Sequence, residues 1–158
     1  MAVDASAPAT DEQVRVAEDQ LRKVVTSILE RLGLSPADAA EGADVLVMSD
    51  LRGVDSHGVS NMLRIYVKDL RDGRLNPAPG WRLVKETAGA AVIDAERRLG
   101  IIVGPRAMRL AVQKARATGV GVVTVRRAGH FGAIGHHAMI AAEQDMIGVC
   151  FVGVGAFE

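Results

Sequence analysis

The run Val120-Gly-Val-Val-Thr-Val125 is β-branched and has helix-patterned sequence on both sides. A run of that kind reads as a strand buried on both faces. Strands separated by helices belong to a sheet with parallel neighbours, because a crossover helix is what joins parallel strands. Upstream, Pro105 opens a helix whose Ala107, Met108, Ala111, Val112 and Ala115 face inward, and Gly119 ends it. Downstream, Gly129 to Gly135 is a glycine-spaced loop, Ala133 to Gln144 a helix, and Ile147 to Val152 another buried strand. Trp81 to Glu86 alternates apolar and polar residues, Ala88-Gly89 breaks the pattern, and Ala90 to Asp94 resumes it, predicting two further strands.

The opening part has a different grammar. From Asp11, apolar residues at Val14, Ala17, Leu21, Val24, Val25, Ile28 and Leu32 step by three and four, the stripe of an amphipathic helix closed by Gly33. Ser35-Pro36 caps a second helix, whose inner face runs through Ala39, Ala43, Leu46, Val47 and Asp50/Leu51. A third helix is predicted from about Ser56 to Leu70, with Val59, Met62, Leu63, Tyr66, Val67 and Leu70 as its stripe and Gly73 as its stop. The predicted organisation is a disordered tail over 1–10, a helical region over 11–73 and an α/β portion over 74–158. The fold class is α/β, a helical N-terminal region followed by a mixed or parallel sheet layered with helices. The ending Gly153-Val-Gly155-Ala-Phe-Glu158 directly follows a predicted strand, and the expectation is of a domain cut short or completed by another chain.

Composition narrows the function. Nineteen Lys+Arg balance nineteen Asp+Glu, so the chain lacks the basic footprint of a nucleic-acid or anionic-lipid binder. Only 3% of residues are aromatic, leaving a core of Val, Leu, Ile, Ala and Met. The single cysteine, Cys150, makes no intrachain disulfide and no zinc cluster, and it reads as core packing in its strand. The start has no basic region followed by an apolar stretch, and the apolar run Met146 to Phe157 falls short of the ~20 residues of a spanning helix. A reducing, cytoplasmic setting without a membrane partner is expected.

Two constellations carry chemistry. Asp55-Ser56-His57-Gly58 stands at the entry to the third predicted helix. An imidazole exchanges protons near neutral pH, its unperturbed pKa being ~6.5. On a continuous helix Asn61 and Arg64 lie within about 40° of His57, opposite Tyr66. Arg64 would then grip a small carboxylate beside a carbonyl served by His57, with Ser56 orienting the ring. The same residues also read as an ordinary helix cap with His57 and Arg64 in solvent. The second constellation, Arg126 to Gly135, joins a strand to a helix, where α/β proteins bind ligands. Its spacing is GxxGxxG and not GxGxxG, so a tight turn with His130 as a polar lid is the competing reading. His136 and His137 point ~100° apart on a helix and cannot grip one ion, so no metal is expected.

Arg52-Gly-Val-Asp-Ser-His-Gly-Val-Ser-Asn-Met-Leu-Arg64, Asn76-Pro77, Leu99-Gly100, Gly119-Val-Gly-Val-Val, His130-Phe-Gly and Asp145-Met-Ile-Gly-Val149 together resemble the malate/L-lactate dehydrogenase family, the type 2, non-Rossmann NAD(P)-dependent oxidoreductases. The resemblance runs in matching order from about Val14 to Val152. It implies that Ser56 and His57 are the catalytic serine–histidine and that His130, Phe131, Gly132 and Ala133 touch the cofactor, NAD or NADP. In some members the histidine matching His130 is the acid/base, so both His57 and His130 stand as catalytic candidates. Asn61 holds a place where many members have an arginine, and Asn61 and Arg64 are the substrate-binding candidates. The resemblance further implies a small 2-hydroxy or 2-oxo acid substrate, a homodimer, and an α/β portion that is part of a cofactor-binding domain. The alternative is a catalytically silent chain that at most binds a partner or a small anion.

Overall fold

Capping chemistry places the first helices in the computed structural model, which describes residues 15–153. Helix α1 (Glu18–Arg31) buries Val25 and Leu29, and Gly33 follows it at φ +94°, a conformation only glycine takes without strain. Val24, expected on the inner stripe, is exposed, as its position one residue and ~100° from Val25 requires. The helix begins later than the expected Asp11, because residues 15–17 are not helical and Ala17 is extended just before Glu18. The stripe residue Val14 lies outside the described residues, as do the 1–10 tail and the end of the chain from residue 154. Helix α2 (Pro36–Leu51) starts as its sequence dictates: Ser35 Oγ accepts from the Asp38 amide at 3.2 Å, and Pro36 takes the first turn. Ala39, Ala43, Val45, Leu46 and Val47 are buried, whereas Leu51 is exposed at its end. A Cβ at Gly42 would come within 3.1 Å of Leu29 and 3.3 Å of Ile101, so the missing side chain lets α1 and the later helix close on α2.

The third predicted helix is not continuous. A 3₁₀ turn at Asp55–His57 ends at Gly58, the chain restarts as a widened π turn at Val59–Leu63, and only then becomes α3 (Arg64–Arg71). The cause lies on α2: Asp50 Oδ2 accepts the Val59 amide at 3.0 Å, claiming the donor that an unbroken helix would use. Gly58 admits this carboxylate, since a Cβ there would lie 1.6 Å from Asp50 Oδ1. His57 therefore precedes the helix instead of lying on it.

Strands β1 (Arg82–Glu86) and β2 (Ala90–Asp94) form an antiparallel hairpin with an irregularity between Leu83 and Lys85. Helix α4 (Gly100–Thr118) then crosses over to β3 (Val122–Arg126), which pairs parallel to β2 from Ala90↔Val122 to Asp94↔Arg126. The sheet is thus mixed, in the order β1-β2-β3. Helix α4 begins at Gly100, not at Pro105: burial of Ile101 and Ile102 in the common core, and of Val103 beside them, outweighs the amide that Pro105 withholds inside the helix. Gly119 closes it at φ +84°.

Two strand expectations are corrected. β3 is not buried on both faces: Val122 is 51% exposed, as is Val120 just before it at 67%. Its side chains alternate exposed and half-buried, and among the described residues it pairs only with β2 and is an edge. Ile147 to Val152 is not a strand at all. It follows α5 (Ile134–Ala142), finds no pairing partner among the described residues, and leaves Ile147 94% and Phe151 92% exposed. Cys150 is accordingly only partly buried, although that burial still pushes its thiol pKa up.

One apolar cluster joins α1, α2 and α3 to α4, with Val25, Leu29, Leu46, Tyr66 and Leu70 meeting Leu75, Leu99, Ile101 and Ile102. At the ends of the parallel strands, inaccessible Asp94 accepts Arg127 Nε at 2.8 Å and Nη2 at 2.9 Å, with Arg82, Arg126 and the Glu96 amide also bound. The Arg127 pair is the main cause holding this carboxyl far below the usual carboxylate range. This knot fixes where the chain leaves β3 towards residues 127–133. No helix among the described residues is long and apolar enough to cross a membrane.

Candidate active site

Four side chains from three separate stretches converge. Ser56 and His57 come from the 3₁₀ turn, with Ser56 Oγ and His57 Nδ1 2.8 Å apart. His130 comes from the loop after β3, and its ring stacks on His57 with centroids 5.3 Å apart and planes 23° from parallel. Tyr66, on α3, places its hydroxyl 2.8 Å from His130 Nδ1. Sequence reasoning placed Tyr66 away from the site. The available signal was that a lone tyrosine on an apolar stripe, the only one in the chain, needs a partner for its hydroxyl once buried.

The other candidates are more dispersed. Asn61 Nδ2 donates back to the Asp55 carbonyl at 2.9 Å, which braces the 3₁₀ turn, and Arg64 is exposed at the start of α3. The break at Gly58 and the π turn, which contains Asn61 and precedes Arg64, remove the single helical stripe on which their grouping with His57 rested. Phe131, Gly132 and Ala133 follow His130 directly. Gly132, at φ +68°, turns its amide onto His130 Nδ1 at 3.2 Å, and the Phe131 carbonyl lies 2.8 Å from His137 Nε2. His137, considered at first only as a metal ligand, is buried and holds the loop from below. His136 lies 3.6 Å from Asp44.

The electrostatics suit proton handling. Desolvation, and then the neighbouring His57, push the His130 pKa below the usual histidine value. Burial drives the Tyr66 phenol well above its ordinary range, so it stays protonated. Position depends on one close backbone approach: a Cβ on Gly100 would sit 2.4 Å from the Gly129 carbonyl oxygen and 2.7 Å from that of His130. Gly100→Ala is therefore expected to push the loop off α4, costing about 1–3 kcal/mol of stability and parting the two imidazoles. Thermal melts and ring-to-ring nuclear Overhauser contacts check both effects.

An α/β scaffold carrying paired imidazoles with hydroxyl partners is the class defined by fold and geometry. A family model described as malate/L-lactate dehydrogenase matches residues 16–157, and the chain belongs to that family. It is 41% identical over 139 residues to a malate dehydrogenase of Pyrococcus abyssi, covering 88% of this chain and 38% of that protein. Against an L-sulfolactate dehydrogenase of Methanocaldococcus jannaschii it is 43% identical over 128 residues, covering 81% and 37%. The solved malate dehydrogenase of Pyrococcus horikoshii OT3 superposes with a TM-score of 0.83 at 40% identity, covering 88% of this chain and 40% of that one. The chain thus spans about two fifths of the length of these relatives.

Proposed function

We propose that these residues form the proton-transfer part of a site that interconverts a 2-hydroxy acid and its 2-oxo acid with NAD or NADP. The observation that carries this reading is the stack of His57 on His130, each ring also held by a hydroxyl, Ser56 for one and Tyr66 for the other. When a carbonyl is reduced, negative charge develops on its oxygen. An imidazole positioned there supplies the proton, and in the reverse direction it removes one. Ser56 holds the His57 ring through Nδ1 and so leaves Nε2 for the reacting oxygen. Arg64, exposed beside this turn, is the proposed carboxylate contact, with Asn61 shaping the turn.

The residues also suit a nicotinamide cofactor. Helix α5 begins at Ile134, directly after His130–Ala133, without a side-chain cap, and a Cβ at Gly135 would meet nothing within 4 Å, so the surface there is open beside the start of the helix. His130, Phe131, Gly132 and Ala133 are the residues that would hold the cofactor, which when bound supplies the hydride. Following the family resemblance, the proposed assembly is a homodimer, for which exposed Val24 on α1 offers apolar surface.

The test mixes the chain with NADH or NADPH and either oxaloacetate or pyruvate, following the absorbance of the reduced cofactor and its fluorescence. Loss of absorbance that depends on the oxo acid is expected. The exposed, unpaired stretch from Ile147 to Phe151 favours a second reading, in which these residues bind but do not turn over; fluorescence change without oxidation would support it. No change in either signal overturns both.

A further inference from the structure

The hydrogen bonds around His130 determine which of its nitrogens carries the proton. The Gly132 amide is an obligate donor, and it points at Nδ1 from 3.2 Å. A backbone N–H cannot reverse its role, so Nδ1 must offer a lone pair. The Tyr66 hydroxyl, 2.8 Å from the same nitrogen, then donates into the same single lone pair, the second arm of a three-centre contact. The neutral ring accordingly bears its hydrogen on Nε2, which has no hydrogen-bond partner among the described residues. Protonating Nδ1 would set two hydrogens against each other at Gly132. The titratable groups that face the ring are His57, stacked on it, and Tyr66, with centroids 6.1 Å away; neither supplies a negative charge to stabilise an imidazolium.

We propose that the Gly132 amide and Tyr66 lock His130 as a neutral Nε2–H donor, so that His130 polarises the substrate oxygen while His57 alone gives and takes the proton. This assignment rests on the proposed redox reading for its substrate, but not for its tautomer, which is a property of the free chain. Tyr66 is a positioning residue: the amide decides which nitrogen is protonated, and the phenol decides where the ring stands. A neutral imidazole donating from a fixed nitrogen is an established way to polarise a carbonyl without transferring charge. Desolvation and the adjacent His57, which both lower the His130 pKa, act in the same direction.

The experiment is long-range nitrogen–proton correlation of the ¹⁵N-histidine-labelled chain at neutral pH, in wild type and Tyr66→Phe. Wild type is expected to show His130 as the Nε2–H tautomer. In Tyr66→Phe the ring swings outward and its titration midpoint rises towards that of an ordinary histidine. An Nδ1–H or imidazolium pattern at neutral pH in wild type overturns the lock, and an unchanged midpoint in Tyr66→Phe overturns the role of Tyr66. Neither readout requires turnover, so a failed redox assay leaves this result standing. Where turnover is measured, His130→Gln, which keeps a donor near Nε2, should retain about ten-fold more activity than His130→Ala; equal losses overturn the donor role.

Discussion

Replacing His57 by alanine should lower reductive turnover by about 10²–10⁴-fold, the usual contribution of a positioned general acid. The loss should fall on kcat more than on KM, because the imidazole interacts most strongly with charge that exists only in the transition state. Ser56 reaches that oxygen only through the ring it orients, so Ser56→Ala should cost far less than His57→Ala. His57 is half-buried in a short 3₁₀ turn and is not part of the apolar cluster that joins the helices, so the thermal midpoint should hardly move. Steady-state kinetics with circular dichroism on the same samples separates the outcomes. A His57→Ala protein with wild-type kcat removes the catalytic assignment, and one that unfolds makes the turn structural.

What could be read from sequence was whatever short-range chemistry decides. Ser35-Pro36, Gly33 and Gly119 mark helix ends because caps act within one turn, and Ala90–Asp94 was predicted as a strand with the bounds the structure gives. Apart from Val24, misplaced by the local turn of its own helix, the larger errors are cases in which a distant group decides. The helix through Ser56 breaks because a carboxylate on another helix, nine residues back, takes the Val59 amide. Helix α4 starts early because Ile101 and Ile102 gain more from the core than Pro105 costs. Ile147–Val152 has strand composition, but a strand exists only where a neighbour accepts its hydrogen bonds, and composition is silent about neighbours. The candidate site shows both sides of this. Its histidines stand in short glycine-flanked motifs that sequence exposes, whereas the Tyr66–His130 contact spans 64 residues and depends on α3 being turned by the π segment before it.

Acid should destabilise this fold through His137. The ring is 3% exposed, its Nε2–H donates to the Phe131 carbonyl at 2.8 Å, and its Nδ1 is buried without a partner. Burial brings its pKa down to about 4, against the opposing pull of the Phe131 carbonyl. In the unfolded chain the same ring titrates at ~6.5. Above that pH neither state is protonated and the group has no effect. Between the two values the unfolded state holds a proton that the folded state refuses, so stability falls as pH falls. The span of 2.5 units corresponds to roughly 3 kcal/mol, a large share of the ~5–15 kcal/mol that holds a domain folded. His130 and His136 are also lowered, mainly by desolvation, and add to the wild-type slope, so the contribution of His137 must be isolated. His137→Gln does this, since an amide can still donate to the Phe131 carbonyl while carrying no titrating proton. Denaturant unfolding at about pH 7 and about pH 4.5 should show wild type losing some 2–3 kcal/mol more than His137→Gln over that interval. Equal losses in the two proteins would mean that the ring is hydrated and titrates normally. The loop carrying Phe131 and His130 would then be held by the Asp94 knot, the Gly100 contacts, the Tyr66–His130 contact and the Gly129 amide on the Arg98 carbonyl, without help from His137.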